Sequence, residues 1–232
     1  MSKLYFRYGA MNSGKSTALL QAAFNYEERG QEVLLAKPQV DTKGESFIVS
    51  RLGVKRSTDF TVAPEDDLYL RFHEERAKAL GDTGKPVSCL LIDEAQFLTE
   101  SQVDDLLRIA IVDGVPVLAY GIRTDFQTVA FPGSRRLLEI AHSLEELKTI
   151  CRCGRKAVFN ARKIGDQYIF DGDQVAIDAS SDLGDGPGAG GIVTYESLCG
   201  SCYLDESDGV LNSGRKSRID FSYKSGPDPD FM

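Results

Sequence analysis

Long hydrophobic runs are absent from this chain of 232 residues. None of its apolar stretches approaches the roughly 20 residues that a helix needs to cross a bilayer, so we expect no membrane-spanning segment. Residues 1–4 pass directly into a strand-like run, which leaves no room for the charged and apolar parts of a signal peptide. The sequence therefore predicts a cytoplasmic protein with no membrane partner.

An excess of positive charge is also lacking. Lys and Arg total 27 against 35 for Asp and Glu, and the net charge is −8 at pH 7. This overall field opposes the binding of a phosphate backbone, so a nucleic-acid partner is not expected. Histidine is scarce as well: His73 and His142 are the only two. Both lie away from the other metal-ligating residues in the sequence, and a core or surface role suits them better than ligation.

A glycine-rich segment follows the first strand-like run, Leu4–Tyr8. Gly9 and Gly14 bracket four residues ahead of Lys15 and Ser16, which is the pattern of a phosphate-binding loop. The glycines let the backbone wrap around an anion, so that N–H groups and a helix N-terminus point at the phosphates. Lys15 would reach the β- and γ-phosphate oxygens, and Ser16 would ligate Mg²⁺. The predicted nucleoside triphosphate site consists of Gly9, Ala10, Met11, Asn12, Ser13, Gly14, Lys15, Ser16 and Thr17.

An acidic pair, Asp93 and Glu94, follows the apolar run Val87–Ile92. Carboxylates at the end of a strand beside the phosphate loop can hold a Mg²⁺-bound water and accept a proton from a nucleophile. Asp93 would serve the metal and Glu94 would take the proton. If the proton came from water the reaction would be hydrolysis, and if it came from a hydroxyl it would be phosphoryl transfer. The alternative is an acidic turn that only precedes a helix near residue 99.

Four of the five cysteines form two close pairs, Cys151 with Cys153 and Cys199 with Cys202. In a reducing compartment such pairs favour a metal over disulfides, and four sulfurs can close a tetrahedral structural Zn²⁺ site. Four unrelated thiols are the alternative. A zinc site would tie residues 154–198 into a loop that could cover a substrate. Cys89 lies inside the apolar run and is most simply a core thiol.

Strand-like and helical patterns alternate from the N-terminus to about residue 145, which is typical of an α/β fold with a parallel sheet. From residue 149 the sequence changes to cysteine, glycine and short β-like stretches. We therefore predict a phosphate-loop sheet of the RecA-like type, flanked by helices, over residues 1–148. A small zinc-binding lasso domain would follow over 149–204, with a flexible tail over 205–232. Residues 41–53 are expected to be a loop or irregular segment, and residues 178–191 a mobile loop.

Together these residues make the chain resemble the zinc-containing type II thymidine kinases, close to their bacterial members. The resemblance covers residues 4–202 and adds residues 120–127, residues 147–157 and the spacing of Tyr195 from Cys199 and Cys202. Some bacterial members share the short Cys-x-Cys form. The main departure is an Asp/Gly-rich insertion between residues 177 and 195, where the family usually has a short Gly-Gly turn.

The resemblance implies transfer of the γ-phosphate of ATP to the 5′-hydroxyl of thymidine, as in deoxynucleoside salvage for DNA synthesis. Glu94 would be the general base, and Gln96 would join Asp93 in the ATP site. ATP, Mg²⁺ and a structural Zn²⁺ would be the cofactors, and the protein would be a homotetramer. The residues implied for the thymidine site are Phe97, Ile122, Phe126, Phe131, Tyr195 and Asp41.

Two other classes share parts of this pattern. A RecA-like ATPase acting on nucleic acid would also carry a phosphate loop and an acidic box. The small size, the acidic balance and the lack of a second motor domain argue against it. A non-catalytic zinc module that only binds a nucleotide is the third class. The combined motifs favour the kinase.

Overall fold

The computed structural model describes residues 1–39, 46–172 and 193–209. These residues divide into two compact units. The first consists of Met1–Gly9, Gly14–Arg123 and Phe131–Leu147. The second consists of Ala10–Ser13, Thr124–Ala130 and the described residues from Lys148 onward. None of the helices within the described ranges combines the length and the apolar character that crossing a bilayer requires.

The first unit is built on a six-stranded sheet in which every strand pairs in parallel with its neighbours, in the order β5-β2-β6-β7-β1-β8. This confirms the predicted α/β fold with a parallel sheet. In chain order its elements are β1 (Leu4–Tyr8), α1 (Lys15–Glu27), β2 (Glu32–Pro38), β3 (Phe47–Val49), β4 (Lys55–Ser57), β5 (Phe60–Val62), α2 (Leu68–Thr83), β6 (Val87–Ile92), a short 3-10 helix (Ala95–Phe97), α3 (Glu100–Val112), β7 (Val117–Gly121), α4 (Pro132–Ile140) and β8 (Ser143–Glu146).

The sheet separates two hydrophobic cores because successive side chains of a strand point to opposite faces. Along β6, Leu90 and Ile92 join a core that also contains residues of α2, α3 and α4. Cys89 and Leu91 join the other core, with residues of α1. Cys89 is thus a core thiol, as predicted. The continuous apolar run is explained by burial on both faces.

The prediction of an irregular segment over residues 41–53 was wrong at Phe47–Val49, which form β3, whereas residues 50–53 contain neither helix nor strand. β3 and β4 form an antiparallel hairpin outside the main sheet, with Ile48 opposite Arg56. Ile48 is buried in the core that contains α1, whereas Phe47 and Val49 are exposed. This alternation over only three residues is too short to be recognised as a strand in the sequence. Residues 40–45 lie outside the described residues.

Two of the helices on the side opposite α1, namely α2 and α3, begin at polar caps. The Asp67 side chain accepts a hydrogen bond from the Leu70 N–H at 2.8 Å ahead of α2. Thr99 and Gln102 form a capping box at the start of α3, in which two backbone donors of the first turn are satisfied reciprocally. The predicted start near residue 99 agrees with this cap.

The second unit contains two small antiparallel sheets. Its elements are β9 (Thr149–Ile150), β10 (Lys156–Ala157), β11 (Phe159–Ile164), β12 (Gln167–Ile169), β13 (Val193–Leu198) and α5 (Gly200–Glu206). β9 pairs with β10, and β11 pairs with both β12 and β13. The core of this unit is formed by Cys151, Ala157, Ala161, Leu198, Cys199 and Tyr203. The segment 178–191 and the tail beyond residue 209 lie outside the described residues.

Two leucines of α2 provide a matched test of the first core. Leu68 is fully buried, and Leu70 is 56% exposed on the same helix. We expect Leu68→Ala to lower the free energy of unfolding by about 2–5 kcal/mol, through lost burial and a residual cavity. Leu70→Ala should change it by less than about 0.5 kcal/mol. Urea denaturation followed by circular dichroism measures both, and equal losses would contradict the packing described here.

Candidate active site and zinc centre

The phosphate loop joins β1 to α1, as the sequence predicts. Asn12 and Gly14 both adopt left-handed backbone conformations, with φ of 67° and 78°. α1 begins at Lys15, and no side chain among the described residues caps its first turn. The first N–H groups of such a helix, together with its dipole, favour an anion. The local backbone therefore fits the predicted phosphate site.

The side chains of Lys15 and Ser16, in the first turn of α1, form hydrogen bonds with groups near the edge of the sheet. Lys15 is only 9% exposed, and its Nζ donates a hydrogen bond to the Gly9 carbonyl oxygen at 3.4 Å. Burial lowers the pKa of the Lys15 ammonium, and the negative charges of Glu94 and Asp93 oppose this shift. The Ser16 hydroxyl donates to Asp93 Oδ2 at 3.1 Å.

Asp93 lies directly after β6 and is buried. Its N–H donates to the carbonyl oxygen of Ala36 on the adjacent strand at 2.9 Å. Burial first, and then repulsion by the neighbouring Glu94 carboxylate, raise the pKa of Asp93 to about 7. A nearby cation would offset both effects. A hydroxyl and a carboxylate oxygen 3.1 Å apart are hard ligands of the type that Mg²⁺ prefers, so these residues fit the predicted magnesium role.

Glu94 is held in place by a buried amide. It adopts φ of 50°, an unusual value for a residue other than glycine. Gln96 Nε2 donates to Glu94 Oε2 at 2.5 Å, and Gln96 Oε1 accepts from the Ile122 N–H at 3.2 Å. A Cβ at Gly121 would lie 2.8 Å from Gln96 Oε1 and 3.2 Å from the Gln96 backbone nitrogen, so a side chain there would displace this amide. The contacts of Gln96 thus connect the Glu94 carboxylate to the end of β7.

Three residues predicted for the nucleoside site lie in the first unit. Phe97 and Phe131 meet edge to face, with ring centroids 5.4 Å apart, and Phe131 and Ile122 are both buried. A Cβ at Gly133 would lie 2.5–3.0 Å from three carbonyl oxygens of residues 95–98. The absence of a side chain at Gly133 therefore lets the start of α4 approach the short 3-10 helix that carries Gln96 and Phe97.

Two further residues predicted for the nucleoside site lie in the second unit. Phe126 is buried, and the guanidinium of Arg162 lies 3.9 Å from its ring centroid. The carbonyl oxygen of Phe126 accepts a hydrogen bond from the Tyr203 hydroxyl at 2.6 Å. Tyr195 lies on β13 opposite Arg162 of β11. Asp41 lies outside the described residues.

The four paired cysteines come together in the second unit. The Sγ atoms of Cys151, Cys153, Cys199 and Cys202 all lie within 4.8 Å of one another. Four thiolates about 2.3 Å from one zinc ion would be separated by about 3.8 Å. The sulfurs of Cys153 and Cys199 are 3.5 Å apart, which is too long for a disulfide of about 2.05 Å. The arrangement fits a closed tetrahedral Zn²⁺ site.

Two local turns present these sulfurs. Between Cys151 and Arg155 the chain reverses, with two backbone hydrogen bonds of 2.7 and 2.8 Å. Gly154 has φ of 86° in this turn, a conformation that glycine adopts without strain. Cys199 precedes the first turn of α5, which carries Cys202. A short Cys-x-Cys spacing is thus compatible with ligation, because the reversal aims both sulfurs at one point.

Two polar residues that were not predicted from the sequence contact the phosphate loop. The Met11 N–H donates to Asn160 Oδ1 at 2.7 Å, and the Ser197 hydroxyl donates to the Met11 carbonyl oxygen. All three residues belong to the second unit. Asn160 lies 149 positions and Ser197 186 positions from Met11 in the chain. No local motif marks Asn160 or Ser197.

Comparison with known proteins agrees with the chemistry of this site. Residues 2–203 match the family model described as thymidine kinase. The chain is 48% identical over 179 residues to the thymidine kinase of Legionella pneumophila strain Paris, covering 76% of this chain and 83% of that protein. It is 49% identical over 166 residues to the thymidine kinase of Rhizobium meliloti strain 1021, covering 71% and 83%. The thymidine kinase of Legionella pneumophila strain Lens is 43% identical over 218 residues, covering 93% and 96%. With its phosphate loop, acidic pair and cysteine cluster, the chain belongs to the thymidine kinase family.

Proposed function

We propose that this protein transfers the γ-phosphate of ATP to the 5′-hydroxyl of thymidine and so forms thymidine monophosphate. The observation that carries the proposal is the grouping of Lys15, Ser16, Asp93 and Glu94 at one edge of the sheet, in a chain that matches the thymidine kinase family over residues 2–203. A phosphate site next to a carboxylate base is what phosphoryl transfer to an alcohol requires.

In the proposed reaction Glu94 accepts the proton of the 5′-hydroxyl as this oxygen attacks the γ-phosphorus, and the bond from this phosphorus to the β–γ bridging oxygen breaks to release ADP. Gln96 holds the carboxylate through its amide N–H group, which limits the rotation of the base before the substrate arrives. Lys15 and the N-terminus of α1 stabilise the negative charge on the transferred group. Ser16 and Asp93 would hold Mg²⁺, which when bound neutralises charge on the phosphate oxygens.

Nucleoside recognition is assigned to six residues. In the first unit Phe97, Ile122 and Phe131 supply apolar and aromatic surface, which suits a flat pyrimidine. In the second unit Phe126 and Tyr195 are proposed to contact the nucleoside. Asp41, outside the described residues, is proposed for the sugar side. The role of Gln96 in the ATP site is proposed alongside its contact with Glu94. The domain boundaries 1–148, 149–204 and 205–232, a homotetramer and a cytoplasmic location stay predictions.

The cysteine cluster is proposed to hold a structural Zn²⁺. All four positions of a tetrahedral ion would be filled by sulfur, which leaves none open for substrate. The second unit has a small apolar core, and two of the four sulfurs belong to buried residues of that core, Cys151 and Cys199. Metal binding would therefore contribute directly to the folding of this unit.

The proposed activity is tested by incubating the purified protein with MgATP and a panel of nucleosides. We expect thymidine-dependent release of ADP with an equal amount of thymidine monophosphate, and no activity for Lys15→Ala, which loses the cation at the β- and γ-phosphates. Single-stranded DNA serves as the comparison substrate. ADP release that responds to DNA and to no nucleoside would place the chain among nucleic-acid-stimulated ATPases instead.

Replacing the proposed base tests the mechanism. Glu94→Gln keeps the size of the side chain but removes its ability to take a proton, so kcat should fall by about 10²–10⁴-fold. Glu100→Gln, an exposed carboxylate in the first turn of α3, is the matched control and should retain kcat. Steady-state kinetics with thymidine measures both variants. Wild-type turnover in Glu94→Gln would rule out this residue as the base.

The metal assignment is tested by Cys151→Ser with Cys89→Ala as the control. Cys151→Ser should lose most of the bound zinc and raise KM for thymidine, because the second unit loses its cross-link. Cys89 lies in the first core, so its replacement should leave the zinc content unchanged. Metal analysis of the purified proteins gives the zinc content per chain. Equal zinc in Cys151→Ser and the wild type would disprove ligation by Cys151.

A further inference from the structure

Both backbone polar groups of Met11, in the middle of the phosphate loop, are bound by side chains. Its N–H donates to Asn160 Oδ1 at 2.7 Å, and its carbonyl oxygen accepts from the Ser197 hydroxyl. These partners lie directly opposite each other on β11 and β13, in the register of one antiparallel pair. Side chains of directly opposed residues leave the same face of a sheet. One cross-strand pair of side chains therefore binds both backbone polar groups of Met11.

The side chains of Asn160 and Ser197 are themselves held in place. Asn160 is only 2% exposed, and Ser197 is also buried. The Asn160 Nδ2 group donates to the carbonyl oxygen of Thr124 at 2.9 Å, so both ends of the amide are used. This pattern also defines the orientation of the amide, because the Met11 N–H needs an acceptor and the Thr124 carbonyl needs a donor. Asn160 thus has one conformation that satisfies all of its partners.

The backbone conformation of the residue after Met11 indicates what these two hydrogen bonds accomplish. Asn12 has φ of 67°, a backbone conformation that costs free energy outside glycine and persists where the surroundings impose it. Fixing both polar groups of Met11 holds the peptide units on either side of it. A loop that is already ordered loses less conformational entropy when it binds a ligand.

We infer that Asn160 and Ser197 are positioning residues that hold the phosphate loop in its nucleotide-binding conformation. The inference rests on the proposed role of this loop in binding ATP. Neither side chain has to touch the nucleotide, because both act through the backbone of Met11. Their loss should weaken nucleotide binding more than it weakens thymidine binding.

The test measures the Kd of MgADP by isothermal titration calorimetry, which needs no turnover. Asn160→Ala and Ser197→Ala should each raise this Kd by about five- to tenfold, as expected for the loss of hydrogen bonds that order the loop. Ser197→Thr keeps a hydroxyl on a β-branched side chain suited to a strand, and it should retain the wild-type Kd. KM for ATP should rise in both alanine variants, with a smaller change in KM for thymidine.

Tyr203→Phe is the matched control for a general loss of stability. It removes one buried hydroxyl that donates to a carbonyl in the same unit, at Phe126, and it leaves Met11 untouched. We expect it to lower Tm about as much as Ser197→Ala while leaving the Kd of MgADP unchanged. If Tyr203→Phe weakens MgADP equally, the effect is one of stability and the inference is overturned.

The remaining outcomes separate this inference from the proposed function. An unchanged Kd in both alanine variants overturns the inference, even if the wild type phosphorylates thymidine. If MgADP binding depends on Ser197 but the wild type phosphorylates no nucleoside, the proposed function is overturned and the inference stands. If Asn160→Ala does not fold, the comparison of Ser197→Ala with Ser197→Thr decides: weakened binding restored by threonine supports the inference, and any other pattern overturns it.

Discussion

Parallel pairing of the central strands is the constraint on which the site depends. Because the strands of this sheet run in one direction, the segments that follow β1, β6 and β7 all leave from the same edge. The phosphate loop follows β1, Asp93 and Glu94 follow β6, and Ile122 follows β7. Hydrogen bonds then join these segments: Ser16 to Asp93, Gly9 N–H to the Gly121 carbonyl oxygen, and Ile122 N–H to Gln96. An antiparallel arrangement of the same strands would separate these groups by the length of a strand.

Several of these groups are buried at a cost to stability. Lys15, Asp93 and Gln96 are removed from water, and burial shifts the pKa of Lys15 down and that of Asp93 up. Each shift disfavours the charged form. In the proposed function a phosphate and a cation would supply the opposite charges, and their interactions with Lys15 and Asp93 would be strong because the site has a low dielectric constant. Gln96 differs from the other two because both ends of its amide are already hydrogen bonded.

The second unit solves a different physical problem. In its described residues, short strands and one short helix bury few apolar side chains, and a small core gives limited stability. The proposed zinc ion, bound by the four converging sulfurs, would cross-link this unit and compensate for the limit. The β11–β13 pair of the same unit carries Asn160 and Ser197 on Met11, so a sheet that is marginal by itself holds part of a phosphate loop.

The sequence by itself determined the features that depend on local pattern: the phosphate loop from two glycines and Lys15, the acidic pair after an apolar run, and two cysteine pairs. The spacing of these residues is their signature, since each depends on neighbours within a few positions. The β3–β4 hairpin was missed because three residues cannot establish a period. The tertiary structure alone decided the contacts of Gln96 with Glu94 and Ile122, the close approach of other segments to Gly121 and Gly133, and the hydrogen bonds of Asn160 and Ser197 to Met11. These depend on close approach between segments far apart in the chain, and hydrogen bonding at such separations leaves no periodic trace in a single sequence.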